Sequence, residues 1–366
     1  MKRYFRFSRN FDWIILLATI LLLGFSVAII YSTTFSMSGG GKEALQQGLN
    51  AAIGLVALFA IARIDYRSFK NYSGVLYILT IVMLLSVEFL GKTSLGATRW
   101  INLGFFQFQP SELAKIFMII VLAKFFAERS GEMHKLKTLL QSLIYMAIPA
   151  ILVLMQPDLG TAMTFIVIWV AMVFVSNAKK IYLLLLGALG IASTPIIFHF
   201  LHSYQQKRIL TFFNPTADPM GAGWNVNQAI IAIGSGRWLG RGLGHGPQSQ
   251  LNFLPFKHTD FVFAALAEEM GFAGALAVLG LFAVILYRAV RTAMLARDYF
   301  GTYLATGIFA MLFFHVFINI GMNVGIMPVT GIPLPLVSSG GTSIVITLAS
   351  IGILESIIIR YKKIDF

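Results

Sequence analysis

Apolar residues run along this chain in long, nearly continuous stretches instead of the two-residue alternation of half-buried strands. A helix needs roughly 20 mainly apolar residues to cross about 30 Å of hydrocarbon. Ten stretches of that kind predict ten helices, near 13–31, 45–62, 74–90, 112–127, 139–155, 160–176, 181–201, 261–287, 301–325 and 342–359. A closed membrane barrel would instead show alternating segments of about ten residues. The first stretch follows a basic start and lacks a small-residue cleavage site, so it reads as a retained helix.

Polar residues between the stretches set the orientation. With the N-terminus inside, the inner segments hold Lys2, Arg3, Arg6 and Arg9, then Arg63, Arg67 and Lys70, then Arg129, Lys135 and Lys137. They continue with Lys179 and Lys180, Arg288, Arg291 and Arg297, and finally Arg360, Lys362 and Lys363. The short outer loops hold only Lys42, Lys92 and Arg99. By the positive-inside rule both termini are cytoplasmic. The segment 202–260, between helices seven and eight, is then a large extracytoplasmic loop. Its aromatic and aliphatic content and its glycine-dense run at 234–246 predict a folded platform with short helices. No repeat of 20–50 residues is visible, and one polytopic membrane domain, 1–366, accounts for the chain.

Composition narrows the class. Of 366 residues, 57% are hydrophobic and 12% charged, about half the charge that solvates an ordinary domain. That excludes disorder, collagen-like repeats and an ordinary cytosolic enzyme. The net charge of +13 would suit nucleic acid on a soluble protein, but here the cytoplasmic loops account for it and no nucleic acid is expected. Without cysteine there is no disulfide framework, thiol nucleophile or thiolate metal site.

Ionisable groups inside membrane segments are costly and mark candidate sites. In Gln109-Pro-Ser-Glu-Leu-Ala-Lys115, Pro110 suits a first helical position, and Glu112 and Lys115 are i,i+3 neighbours. Either a structural ion pair or a substrate-facing role fits them. Asp158, in Gln156-Pro-Asp-Leu-Gly160, either complements a helix N-terminus or faces a ligand. In the run from Phe253 to Phe261, Thr259 or Asp260 would cap helix eight, while Lys257, His258 and Asp260 are expected to converge beside the glycine-rich loop. Glu268 and Glu269 follow two turns later, where a carboxylate could accept a proton from an amphiphilic substrate. The run from Pro328 to Ser343 holds too many prolines and glycines for a continuous helix. Its Ser338–Ser343 end is either a re-entrant turn or a set of backbone N–H groups for an anion. His199, His202 and His315 are isolated and default to structural roles. Gly-x-Gly patterns follow no predicted strand, and no P-loop lysine motif or metal-binding histidine pair occurs.

Together, FQPSELAK at 108–115, QPDLGTA at 156–162, GWNVNQAIIAIGSG at 223–236, FLPFKHTDFVFAALAEEMG at 253–271 and PVTGIPLPLVSSGGTS at 328–343 closely resemble the SEDS family of shape, elongation, division and sporulation proteins. The resemblance spans essentially the whole chain. VTGIPLP and GHGPQSQLNFLP are more similar to the elongation branch of RodA than to the division branch of FtsW.

The resemblance implies a peptidoglycan glycosyltransferase that polymerises lipid II, an undecaprenyl-diphosphate-linked substrate, at the outer face of the bacterial cytoplasmic membrane. It also implies a class B penicillin-binding protein as partner and lipid around the helices. It makes Asp260 the essential acid and gives Glu112, Lys115 and Asp158 supporting roles. Arg99, Gln109, Lys257, His258, Glu268, Ser338 and Ser339 are the other residues expected to bind substrate or support the site. Asp260 would act as general base on the acceptor hydroxyl. Lys115, Arg99 or a divalent cation, Mg or Mn, would stabilise the leaving diphosphate. Two positions depart from the family pattern: Phe256 stands where an acid often follows FLP, and Ser339 where an aromatic is frequent. The competing expectation is a lipid II flippase, since interrupted helices and buried charges also describe transporters.

Overall fold

The computed structural model describes residues 10–34, 40–94, 97–102, 107–201, 203–214 and 221–361. Lys2, Arg3, Arg6, Arg9, His202, Lys362 and Lys363, counted or named above, lie outside the described residues. Each apolar stretch forms a helix, usually extended by a few residues at its ends. These are α1 (Trp13–Thr34), α2 (Gly40–Arg63), α3 (Ser68–Leu90), α4 (Pro110–Glu128), α5 (Leu136–Met155), α6 (Leu159–Val175) and α7 (Lys180–Phe200). The 203–260 segment contributes three short helices, α8 (Ser203–Phe213), α9 (Ala222–Ser235) and α10 (Pro247–Gln250). The chain then continues through α11 (Val262–Leu295), α12 (Tyr299–Asn323) and α13 (Gly341–Ile359). Among the described residues, seven helices are long and apolar enough to cross a membrane, and α6 and part of α7 are shorter apolar helices.

One departure from an all-helical reading follows α3. Strands β1 (Lys92–Ser94), β2 (Ala97–Asn102) and β3 (Gln107–Phe108) form a small antiparallel sheet in the order β1-β2-β3. The strands are too short to show a clear period of two, so the pattern of apolar residues did not announce them. The sheet carries Arg99 and delivers the chain to Pro110, which opens α4 at its first turn.

Burial is inverted relative to a soluble protein. Ile14, Leu17 and Leu21 of α1 and Val75, Ile78 and Val82 of α3 are exposed, as expected where the solvent is lipid. α12 and α13 are the most enclosed spans. α13 packs chiefly on α2, while α12 packs on α4, α6 and α11. Polar side chains collect where these helices meet the 324–340 connection.

α11 begins nearly where the pattern predicts, but it breaks at Gly271, whose φ of 67° and ψ of −167° are not helical. The break exposes backbone groups that the glycine-rich loop satisfies. Arg241 and Gly242 N–H donate to the carbonyls of Glu268 and Glu269, and Phe272 and Ala273 N–H donate to those of Arg237 and Trp238, at 2.8–3.0 Å. Gly240 (φ +83°) crosses Gly271 there so closely that a Cβ on either glycine would overlap the other segment's backbone.

Candidate active site

A cavity of about 590 Å³ opens among α2, the sheet, α4, the start of α6, the 258–260 segment, α12 and the 331–343 segment. That is a size suited to a substantial ligand. The expected residues Arg99, Gln109, Glu112, Lys115, Asp158, His258, Asp260 and Ser339 all border it.

Asp260 ends the long segment that joins α7 to α11. The expected side-chain cap on α11 is not made: Phe261 holds the cap position and no side chain of 259–261 caps the helix. Asn323 of α12 does that work from across the interface. Its Oδ1 accepts from Ala264 N–H at 3.0 Å, and its Nδ2 donates to Asp260 O at 3.0 Å. Asn319 Nδ2 donates to the same carbonyl at 3.2 Å. The backbone of Asp260 is therefore held twice, and its carboxylate is left to the cavity.

Among the described residues no hydrogen bond or ion pair occupies that carboxylate. It keeps an edge on the cavity but is enclosed by protein, and this desolvation raises its pKa above the ordinary aspartate value. The positive charges of Arg208, Arg99 and His258 pull it part of the way back. Gly331 (φ +72°) separates two of these groups: a Cβ there would lie 3.6 Å from Arg208 Nη1 and 3.8 Å from Asp260 Oδ2.

The other cavity acids singled out by sequence are engaged. Glu112 Oε1 lies 2.6 Å from Lys115 Nζ, and both residues are buried. Lys115 Nζ also lies 3.2 Å from His315 Nε2. An ammonium only donates, so this ring nitrogen is the acceptor. Asp158 caps α6, accepting from Thr161 N–H at 3.2 Å and Thr161 Oγ1 at 2.9 Å. Gln109 Nε2 reaches Asp158 at 3.4 Å, and Arg99 Nη1 lies 3.9 Å from it. Arg99 also donates to the carbonyls of Gln156 and Pro157.

Three expected residues sit elsewhere. Lys257 does not converge with Asp260; its ammonium turns back to Ser249 O and, at 2.8 Å, to Asn252 Oδ1. Burial lowers its pKa, and Glu269, Glu43 and Glu268 partly oppose that shift. Glu268 also faces away from the cavity and accepts from Gln248 and Ser249 N–H at 2.8 and 2.9 Å, at the start of α10. Glu269 is held by Ser32 Oγ of α1 and Gln250 Nε2. These carboxylates satisfy loop amides, which explains their presence two turns into a membrane helix. Ser338 is a buried clasp: its Oγ accepts from Leu334 N–H at 2.8 Å and donates to Thr259 O at 2.6 Å. Ser339 N–H donates to His258 O at 2.8 Å, so this amide is already committed within the protein.

Sequence reasoning missed Arg208, His315 and the α2 wall of Glu43, Gln46, Gln47 and Asn50. For the α2 wall the signal was available, because polar residues at i, i+3, i+4 and i+7 on a membrane helix share one face. His315 and Arg208 gave no local signal, since their partners lie far away in sequence. Among the described residues, no group of three His, Asp or Glu side chains is placed to hold a metal ion.

A family model described as a cell cycle protein, covering FtsW, RodA and SpoVE, matches residues 11–363. The peptidoglycan glycosyltransferase MrdB of Escherichia coli is 39% identical over 365 residues, covering 100% of this chain and 98% of that protein. A probable peptidoglycan glycosyltransferase FtsW from a Geobacter species is 35% identical, covering 96% of this chain and 98% of that protein. Among solved structures, a chain of a peptidoglycan synthase complex superposes with a TM-score of 0.82 at 28% identity, covering 95% of this chain and 97% of that one. The crystal structure of the Rod shape determining protein RodA of Thermus thermophilus gives 0.71 at 26% identity, covering 95% and 96%.

Proposed function

The chain belongs to the cell cycle protein family of FtsW, RodA and SpoVE, and we propose from that premise that it polymerises lipid II into glycan strands at the outer face of the bacterial cytoplasmic membrane. One observation carries the reading. Of the three cavity acids that the sequence marks, Glu112 and Asp158 are engaged by Lys115 and Thr161, while the Asp260 carboxylate is unoccupied among the described residues. A polymerase needs one such base on the acceptor sugar and cations for the leaving diphosphate.

In this scheme Asp260 takes the proton of the acceptor hydroxyl as its oxygen attacks the donor's anomeric carbon. The bond to diphosphate breaks, and Lys115 and Arg99 stabilise the charge that develops on its oxygens. Direct displacement inverts the centre, turning an α-linked donor into a β-linked product. The raised pKa of Asp260 strengthens it as a base, while Arg208, Arg99 and His258 keep its ionised form accessible.

Among the described residues, no three His, Asp or Glu side chains form a cage for Mg or Mn. A divalent ion would rest on the diphosphate oxygens and at most a single carboxylate, the usual sparse protein ligation of Mg. No step here is routed through it. The similarity to a synthase-complex chain, from work on coordinated polymerization and crosslinking, supports a class B penicillin-binding protein as partner. The motifs VTGIPLP and GHGPQSQLNFLP, more similar to RodA than to FtsW, favour a role in elongation over division.

The test is to reconstitute the purified protein with its cognate penicillin-binding protein in liposomes holding fluorescent lipid II. The proposal expects β-linked polymer from lipid already in the accessible leaflet. Movement of lipid II between leaflets without polymer would replace it with the transport reading.

A further inference from the structure

The α2 wall of the cavity plays no part in the chemistry above, yet it is the most polar stripe on any membrane-crossing helix of the cavity. Glu43, Gln46, Gln47 and Asn50 all border the cavity from one helical face. Gln47 is 2% exposed. Its Nε2 donates to Ser26 Oγ at 2.7 Å and to Ser338 O at 3.2 Å. A carbonyl can only accept, so the second contact fixes which end of the amide bears nitrogen. Oε1 is then a buried acceptor with no donor among the described residues. Buried side-chain acceptors without a donor are rare in folded proteins and call for an explanation.

Gln47 is also in register with Asp260. Ser338, whose carbonyl receives the Gln47 amide, donates its hydroxyl to Thr259 O at 2.6 Å, one residue before Asp260. Whatever Gln47 binds is therefore positioned relative to the base.

We propose that this α2 stripe is a saccharide subsite, in which Gln47 Oε1 accepts a hydrogen bond from a sugar hydroxyl or acetamido N–H and Gln46 and Asn50 contact the same ring. The inference rests on the polymerase reading and says which end of the substrate lies where. Diphosphate oxygens only accept, so Gln47 Oε1 has nothing to offer them, and Glu43 repels their charge. Arg99 and Lys115, which suit diphosphate, stand on β2 and α4 instead. Neutral amides that both donate and accept match a sugar.

The experiment measures binding of three probes to the full-length protein in detergent: lipid II, the same lipid with its stem peptide removed, and undecaprenyl diphosphate. Wild type is compared with Gln47→Met and with Gln46→Ala, which leaves the Ser26–Gln47–Ser338 bridge intact. Loss of one neutral hydrogen bond predicts about five- to tenfold weaker binding of both sugar-bearing lipids to Gln47→Met. Gln46→Ala should shift the same two probes in the same direction, and undecaprenyl diphosphate should bind all three proteins equally. Equal weakening of all three probes, no weakening of any, or weakening confined to the peptide-bearing lipid would each overturn the subsite. If wild type polymerises lipid II but Gln47→Met keeps full affinity, the subsite alone is wrong. If wild type binds lipid II no better than undecaprenyl diphosphate and makes no polymer, the polymerase reading falls and the subsite falls with it.

Discussion

Asn323 caps the helix that Asp260 precedes: its amide oxygen takes the Ala264 N–H and its nitrogen holds the Asp260 carbonyl, both at 3.0 Å. A residue that capped α11 with its own side chain would have no carboxylate left for the cavity. Moving the cap to α12 frees Asp260 while fixing its backbone. Replacing Asn323 by Ala should remove about 1–2 kcal/mol of stability, as lost caps do. It should also reduce polymerisation more than it weakens lipid II binding, because the base loses its position. Thermal unfolding and a kcat against KM comparison check both parts.

The Glu112–Lys115 pair makes a second prediction. Both side chains are almost fully buried. Removing one partner of such a pair leaves an uncompensated charge and costs about 3–5 kcal/mol. Lys115→Met should therefore unfold at a markedly lower temperature than wild type. The double variant Glu112→Gln with Lys115→Met should regain most of that loss without regaining activity. Restored polymerisation in the double variant would show the pair to be purely structural.

Asp260 should make itself visible in the pH profile. The base must be ionised to act, so the rate is present at high pH and falls as pH drops through its pKa. Burial raises that pKa, placing the acid limb above the ordinary aspartate value of about 3.9. Arg208 opposes the rise, so Arg208→Gln should move the limb to still higher pH. Initial polymerisation rates against pH for the two proteins decide this. A limb that moves down, or not at all, contradicts the assigned electrostatics.

The crossing of Gly240 and Gly271 predicts a steric lesion far from the chemistry. Both have positive φ, and each lies against the other's backbone. Gly240→Ala adds strain and overlap together and should cost at least about 1–3 kcal/mol. It should detach the 237–250 loop from α11, read as faster proteolysis within that loop.

The helices were legible because each apolar stretch must satisfy its own backbone in lipid, which leaves the chain little choice. Asp260, Glu112, Lys115 and Asp158 stood out because charge is conspicuous in such a background. The direction each faces was not legible. Lys257 is three residues from Asp260 and Glu268 eight, but both side chains turn to the 248–252 segment that follows the glycine-rich loop. The break at Gly271 looked like one more small residue in an apolar run. Arg208 and His315 acquire meaning only from partners brought close by folding, His315 meeting Lys115 across 200 residues of sequence.

The central claim is that Asp260 is the base of a lipid II polymerase, and one comparison tests it most directly. Fluorescent lipid II is given to the purified protein with its cognate penicillin-binding protein, using wild type and Asp260→Asn, which preserves shape and backbone contacts. Glycan ladders are expected from wild type and a loss of at least about a hundredfold in the variant, typical of removing a general base. The melting temperature and lipid II affinity of the variant should remain near wild type. Ladders of normal length and rate from Asp260→Asn would contradict the account.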